Sequence, residues 1–141
     1  MIKSALQIFE RLELWEDAIS CYQALGEAKK AEALVLRQLE TAPNSPKLLC
    51  ILGDLRSDPS LYEQAWEKSN HRFARAMRSL GAYYFKRNEF EKSIESYEKA
   101  LFINPLFVNS WFVLGCAGMK IENWQVAAKA FSRAVAVDPE V

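Results

Sequence analysis

The residues of this chain that could do covalent or acid–base chemistry are few: one histidine, three cysteines and some neighbouring carboxylates among 141 residues. His71 is accompanied by no G-x-S-x-G elbow, no H-E-x-x-H pair and no P-loop, so the usual nucleophile and zinc-hydrolase arrangements lack parts. It is expected to open a helix after Asn70. Cys21, Cys50 and Cys116 are far apart and odd in number, with no C-x-x-C pair to hold zinc, and read as buried free thiols of a reducing compartment. Glu16 with Asp17, and Glu95 with Glu98, lie beside lysines and read as solvated helix faces rather than acid–base couples. No catalytic residue, metal site or cofactor is expected. Trp15, Trp111 and Trp124 are assigned to packing rather than ligand stacking; Trp66 lies in a less regular stretch.

The informative polar feature is segregation of charge. The whole chain is formally neutral, with 18 Lys plus Arg against 18 Asp plus Glu, so nothing global points to a polyanion or an anionic membrane. Yet Ser69 to Asn88 holds no acid, while Arg72, Arg75, Arg78, Lys86 and Arg87 give that stretch a charge of +5. Residues 1–68 carry eight basic and eleven acidic side chains, and residues 89–101 carry two and four. Stacking aromatics beside these arginines could hold a single nucleic-acid strand, but five basic residues on one helix make no wider basic stripe, which argues against nucleic acid.

The elements that carry these charges follow from a repeat. Asn88 to Pro105, "NEFEKSIESYEKALFINP", returns 34 positions later as Glu122 to Pro139, "ENWQVAAKAFSRAVAVDP". Phe90 meets Trp124, Ser93 meets Ala127, Tyr97 meets Phe131, Ala100 meets Ala134 and Pro105 meets Pro139, at the three- and four-residue spacings of one helix face. Upstream, Leu80 and Gly81 match Leu114 and Gly115, so 74–107 and 108–141 are whole repeats of two helices each. Asn88 and Asn123 fall where the tight turn between helices belongs. The small residues Gly81, Gly115, Ser93 and Ala127 let two helices approach to about 8 Å, which must offset the roughly 1 kcal/mol a helix-interior Gly costs against Ala. The prolines end each pair and bias Asn104 and Asp138 away from helical dihedrals.

Those residues resemble the tetratricopeptide repeat, a degenerate 34-residue pattern of W-x2-L-G-x2-Y followed by small, aromatic and small residues and a proline. The last unit carries Trp111, Leu114, Gly115, Ala127, Phe131, Ala134 and Pro139, with Gly118 in place of the usual tyrosine. The unit before carries Leu80, Gly81, Tyr84, Tyr97, Ala100 and Pro105, with Met77 for tryptophan and Ser93 for alanine. Upstream, Leu52, Gly53 and Ala65 fit the pattern, but Gly53 to Gly81 is only 28 residues, so this unit is expected to have shortened helices around "SDPS". Earlier still, helix 15–25 can pair forward in the full register of Trp15, Tyr22, Ala31, Val35 and Pro43, or backward with "SALQIFERL". The expectation is an all-α fold, a right-handed superhelix of about nine antiparallel helices near 2–12, 15–25, 28–42, 46–56, 60–70, 72–87, 90–103, 107–120 and 123–137. The whole of 1–141 is taken as one domain, irregular over 1–73, and as a piece of a longer solenoid whose ends lack polar caps and so could self-associate.

The resemblance also implies a function. In this family the first helix of each repeat lines a concave groove, which places Arg75, Arg78, Ala82, Phe85 and Lys86, then Asn109, Phe112, Cys116, Met119 and Lys120, on that groove. A basic and apolar surface suits an acidic or amphipathic segment of a partner protein. The clamp with which the family holds the acidic tails of Hsp70 and Hsp90 would need asparagine at 82 and 113, where Ala82 and Val113 stand. One unit earlier, Cys50 and Asp54 stand where lysine and asparagine belong, so the clamp is absent. The expected role is a non-catalytic scaffold, in a chaperone-linked or large-complex setting; the alternatives are a spacer whose arginines pair with Glu63 and Glu67, or single-strand binding. No secretory h-region or membrane-spanning run is legible, so a soluble cytoplasmic or nuclear protein is expected.

Overall fold

The structure, a computed structural model, describes residues 3–5 and 14–140. Residues 3–5 are helical, and the rest of the helix expected near 2–12 lies outside the described residues. Eight further helices follow: α1 (Trp15–Ala24), α2 (Ala28–Thr41), α3 (Pro46–Arg56), α4 (Pro59–Lys68), α5 (Ala74–Lys86), α6 (Phe90–Ile103), α7 (Val108–Lys120) and α8 (Trp124–Val137). There is no strand among the described residues. Each helix packs on its chain neighbours, which gives the right-handed α-α superhelix its sequential order.

Local chemistry sets the helix ends. Ser45 and Asp58 cap α3 and α4, their side-chain oxygens accepting from Leu48 N–H and Ser60 N–H, and Pro46 and Pro59 fill the first helical position, where no amide hydrogen is needed. The turn inside each hairpin holds one residue in the left-handed region: Gly26 at φ 73°, Ser57 at 51°, Asn88 at 63° and Glu122 at 58°. Asn88 therefore makes the turn as expected, but Asn123 does not. It caps α8, its Oδ1 accepting from Val126 N–H at 3.2 Å, and the strained position falls to Glu122. The shared turn geometry pairs α1 with α2 in the forward register; a backward pairing of α1 involves residues outside the described ones.

The core runs along the array through Ile19, Val35, Leu52, Trp66, Met77 and Leu80, then Ile94, Tyr97, Leu101 and Leu114. Glycines mark where hairpins close. A Cβ at Gly81 would lie 2.5 Å from the Tyr97 ring, one at Gly115 2.7 Å from Phe131, and one at Gly53 2.8 Å from Tyr62. The last contact has no counterpart in the regular repeats: Tyr62 lies nine residues after Gly53, whereas Tyr97 and Phe131 lie sixteen after their glycines. α3 stops three residues after Gly53, whereas α5 runs five beyond Gly81, so the chain turns sooner and meets the glycine sooner.

Two single residues also depart. His71 does not open a helix: it sits at φ 61° before α5, its ring stacked on Trp66 with centroids 5.0 Å apart and its Nε2 2.8 Å from Glu67 Oε1. Trp124 is 60% exposed rather than packed, whereas its counterpart Phe90 is half-buried with its ring edge-on to Phe85. Trp66, by contrast, is a core residue.

Candidate functional site

The first helices of the hairpins, α3, α5 and α7, are the ones that the repeat resemblance sets on an inner face, and their register decides what they present. Counting one residue on from Gly53, Gly81 and Gly115 gives Asp54, Ala82 and Cys116, so Asp54 shares the face with the basic helix α5. Its carboxylate accepts from the Tyr62 hydroxyl at 2.5 Å and from Arg75 Nη2 at 3.4 Å. Three helices are thus joined through one side chain: Asp54 on α3, Tyr62 on α4 and Arg75 on α5. Burial and the hydrogen bond to Asp54 both push the Tyr62 phenol's pKa up, since ionising it would place a second negative charge beside the carboxylate.

One turn along α5, Arg78 is placed differently. Its guanidinium lies 4.1 Å from the centre of the Phe107 ring, and no carboxylate of the described residues comes within ion-pair distance. Partial burial, reinforced by the like charge of Arg75, lowers its pKa from a value so high that it stays charged. The helix end carries a second stacked cation, Arg87 over Tyr83 at 4.4 Å. Arginines on this helix are therefore held by rings and by Asp54, not by Glu63 or Glu67.

Between α3 and α5 lies an open groove of about 500 Å3, lined by Asp54 and Tyr62 together with Ala82, Lys86 and Arg87. Of the residues assigned to the inner face, Ala82 and Lys86 line this groove. Arg75 and Arg78 do not: Arg75 bonds the groove's Asp54, Arg78 lies over Phe107, and Phe85 is half-buried with its ring edge-on to Phe90 at 5.3 Å. On α7, Phe112 is 45% exposed and meets Phe131 edge-on at 5.7 Å, Met119 is 51% exposed, and Asn109 and Lys120 are exposed. Asp54, Tyr62 and Phe107 were not among the expected site residues, although the position of Asp54 follows from the glycine register.

The chemistry available here is recognition. Among the described residues no group of three His, Cys, Asp or Glu side chains is placed to hold a metal. Cys50 is fully buried, and its thiol is pushed up to about 12, chiefly by burial, so it is a poor nucleophile at neutral pH. No described helix is long and apolar enough to cross a membrane.

The model of the family described as tetratricopeptide repeat matches residues 74–107, the hairpin built by α5 and α6. The chain belongs to the tetratricopeptide repeat family. It is 52% identical over 119 residues to the tetratricopeptide repeat protein 27 homolog of Dictyostelium discoideum, a match that covers 84% of this chain and 14% of that protein. It is 40% identical over 131 residues to a TPR repeat-containing protein of Schizosaccharomyces pombe, covering 93% of this chain and 16% of the relative. The chain therefore spans about a seventh of the length of these relatives. A solved structure of MamA from Desulfovibrio magneticus RS-1 superposes with a TM-score of 0.75 at 18% identity, covering 92% of this chain and 76% of that one. That likeness is one of fold alone. A tetratricopeptide repeat scaffold is consistent with protein–protein interaction, and neither relative's name carries an enzymatic activity.

Proposed function

We propose that this tetratricopeptide repeat segment is a non-catalytic scaffold whose inner face holds an acidic, amphipathic segment of a partner protein, in the cytoplasm or nucleus and within a chaperone-linked or large-complex assembly. The observation that supports this reading is Arg78. A guanidinium that is partly desolvated, repelled by Arg75 and without a carboxylate gains from an incoming acid, since hydrogen bonds to charged groups contribute about 1.5–3 kcal/mol. Phe112 and Met119, exposed one hairpin away, supply apolar anchorage for the same segment. The inner face has Ala82 and Val113 where a chaperone-tail clamp needs asparagine, so the partner acid is recognised by a different set of residues.

The test is fluorescence anisotropy with a labelled amphipathic peptide rich in glutamate, using the full chain. Arg78→Gln is expected to weaken binding by about tenfold while leaving helical content unchanged. Equal affinity for both proteins sinks the inner-face assignment. The spacer reading draws on the Arg75 to Asp54 pair, which satisfies one arginine internally; it expects no binding to either protein.

A further inference from the structure

The outer face carries one groove twice, and the two copies differ in a directed way. The first copy lies where α5 and α6 meet α4, and the second where α7 and α8 meet α6. Residues of the first map onto the second at the repeat offset: Met77 onto Trp111, Leu80 onto Leu114, Lys92 onto Val126, Glu95 onto Lys129, Ser96 onto Ala130 and Lys99 onto Arg133. The floor thus exchanges a lysine and a serine for valine and alanine. Tyr84, whose ring the Lys92 ammonium covers at 5.5 Å, becomes Gly118, where an added Cβ would meet the backbone of α8 at 3.0 Å. The lining charges go from three acids against two lysines to Glu98 alone against Lys99, Lys129 and Arg133.

The result is a groove of about 610 Å3 with an apolar floor and a basic rim. Its wall is fixed, because the Trp111 indole donates to the Pro105 carbonyl at 2.6 Å. Phe102 lines it yet is 91% exposed, and Leu106 beyond Pro105 is 73% exposed. An exposed phenylalanine beside an apolar groove marks a contact surface. Lys129 and Arg133 make no ion pair with any described residue.

We propose that this outer groove is a second docking site, separate from the inner face, for an amphipathic partner helix with an apolar row flanked by acids. A helix seated over α7 between α6 and α8 meets ridges of the kind that already pack this array, and the unmatched cations of α8 select its flanking charge. To test it, a display library of helices of about 16 residues, roughly four turns, is selected against the full chain. One row is randomised over Leu, Ile, Phe and Met, and the flanking positions over Glu, Gln and Lys. Glu-flanked sequences are expected to dominate. Their affinity is expected to fall about tenfold for Phe102→Ala and for Lys129→Glu with Arg133→Glu, and to persist in Arg78→Gln. The altered side chains are exposed, so circular dichroism should match the wild type; the charge-reversed variant decides the matter if Phe102→Ala does not fold. Enrichment of no sequence or of Lys-flanked ones, or affinity indifferent to the outer-groove variants, overturns the proposal. So does loss of binding in Arg78→Gln alone, which places the peptides on the inner face. A dimer in sedimentation velocity that Phe102→Ala abolishes also overturns it, by making a second copy the occupant.

Discussion

Replacing Gly81 with alanine sets two known effects against each other. The new methyl removes the backbone entropy of a helix-interior glycine, a gain of about 1 kcal/mol. It also places a carbon 2.5 Å from the Tyr97 ring, about 1 Å closer than ordinary contact, and Tyr97 is only 5% exposed, so the ring has no open side to move into. Overpacking of this kind costs typically about 1–3 kcal/mol. The balance runs from about neutral to a net loss of about 2 kcal/mol, read as a lower urea midpoint by far-ultraviolet circular dichroism with the slope unchanged. Gly115→Ala supplies an internal comparison, since Phe131 is half-buried and its neighbour Phe112 is exposed; the ring can shift, and the loss should be smaller. Combining Gly81→Ala with Tyr97→Leu should lose less than the sum of the single changes by roughly 1 kcal/mol. If Gly81→Ala stabilises the protein by the propensity gain alone, the close-approach account of the repeat glycines is wrong.

Two further outcomes follow from the backbone and the core. Glu122 occupies the left-handed region that glycine adopts freely, so Glu122→Gly should raise stability by about 0.5–1 kcal/mol in the same urea assay. Asn88→Gly, at a position where asparagine is already tolerated, should change stability much less. The Cys50 thiol is raised from 9.0 to about 12, mainly by burial, so between those values the unfolded chain loses a proton that the folded chain keeps. Its contribution to stability is therefore intact below about pH 9 and is lost progressively as pH rises toward 12, and Cys50→Ala should flatten the fall in urea midpoint between pH 9 and 10.5. In the folded protein, iodoacetamide should label Cys21 and Cys116, both half-buried, well before Cys50, followed by peptide mass spectrometry.

The two regular hairpins were legible because 34-residue spacing repeats both the small residues and the large ones that face them. The hairpin of α3 and α4 was less so. Its glycine and Ala65 kept the expected separation, but the early stop of α3 set Tyr62 against Gly53, a shift that depends on where a helix ends. Asn88 and Asn123 look alike in the sequence yet do different work, since a left-handed turn residue and a helix cap both favour asparagine. The basic inner helix could be found by counting charge. What holds its arginines could not, because Asp54, itself held by Tyr62, and Phe107 reach them from other segments. The outer groove was hidden for a similar reason: its copy-to-copy differences were visible, but only the packed array shows that they line one surface.

The inner-face account is tested most directly by Asp54→Asn. Asparagine still accepts from the Tyr62 hydroxyl, but it no longer neutralises Arg75, a half-exposed pair in competition with any incoming acid. Titrating the glutamate-rich amphipathic peptide into wild type and variant by calorimetry should show tighter binding to the variant, by about fivefold if the surface pair contributes roughly 1 kcal/mol. Unchanged or weaker binding would contradict the assignment of Arg75 and its helix to an acid-binding inner face.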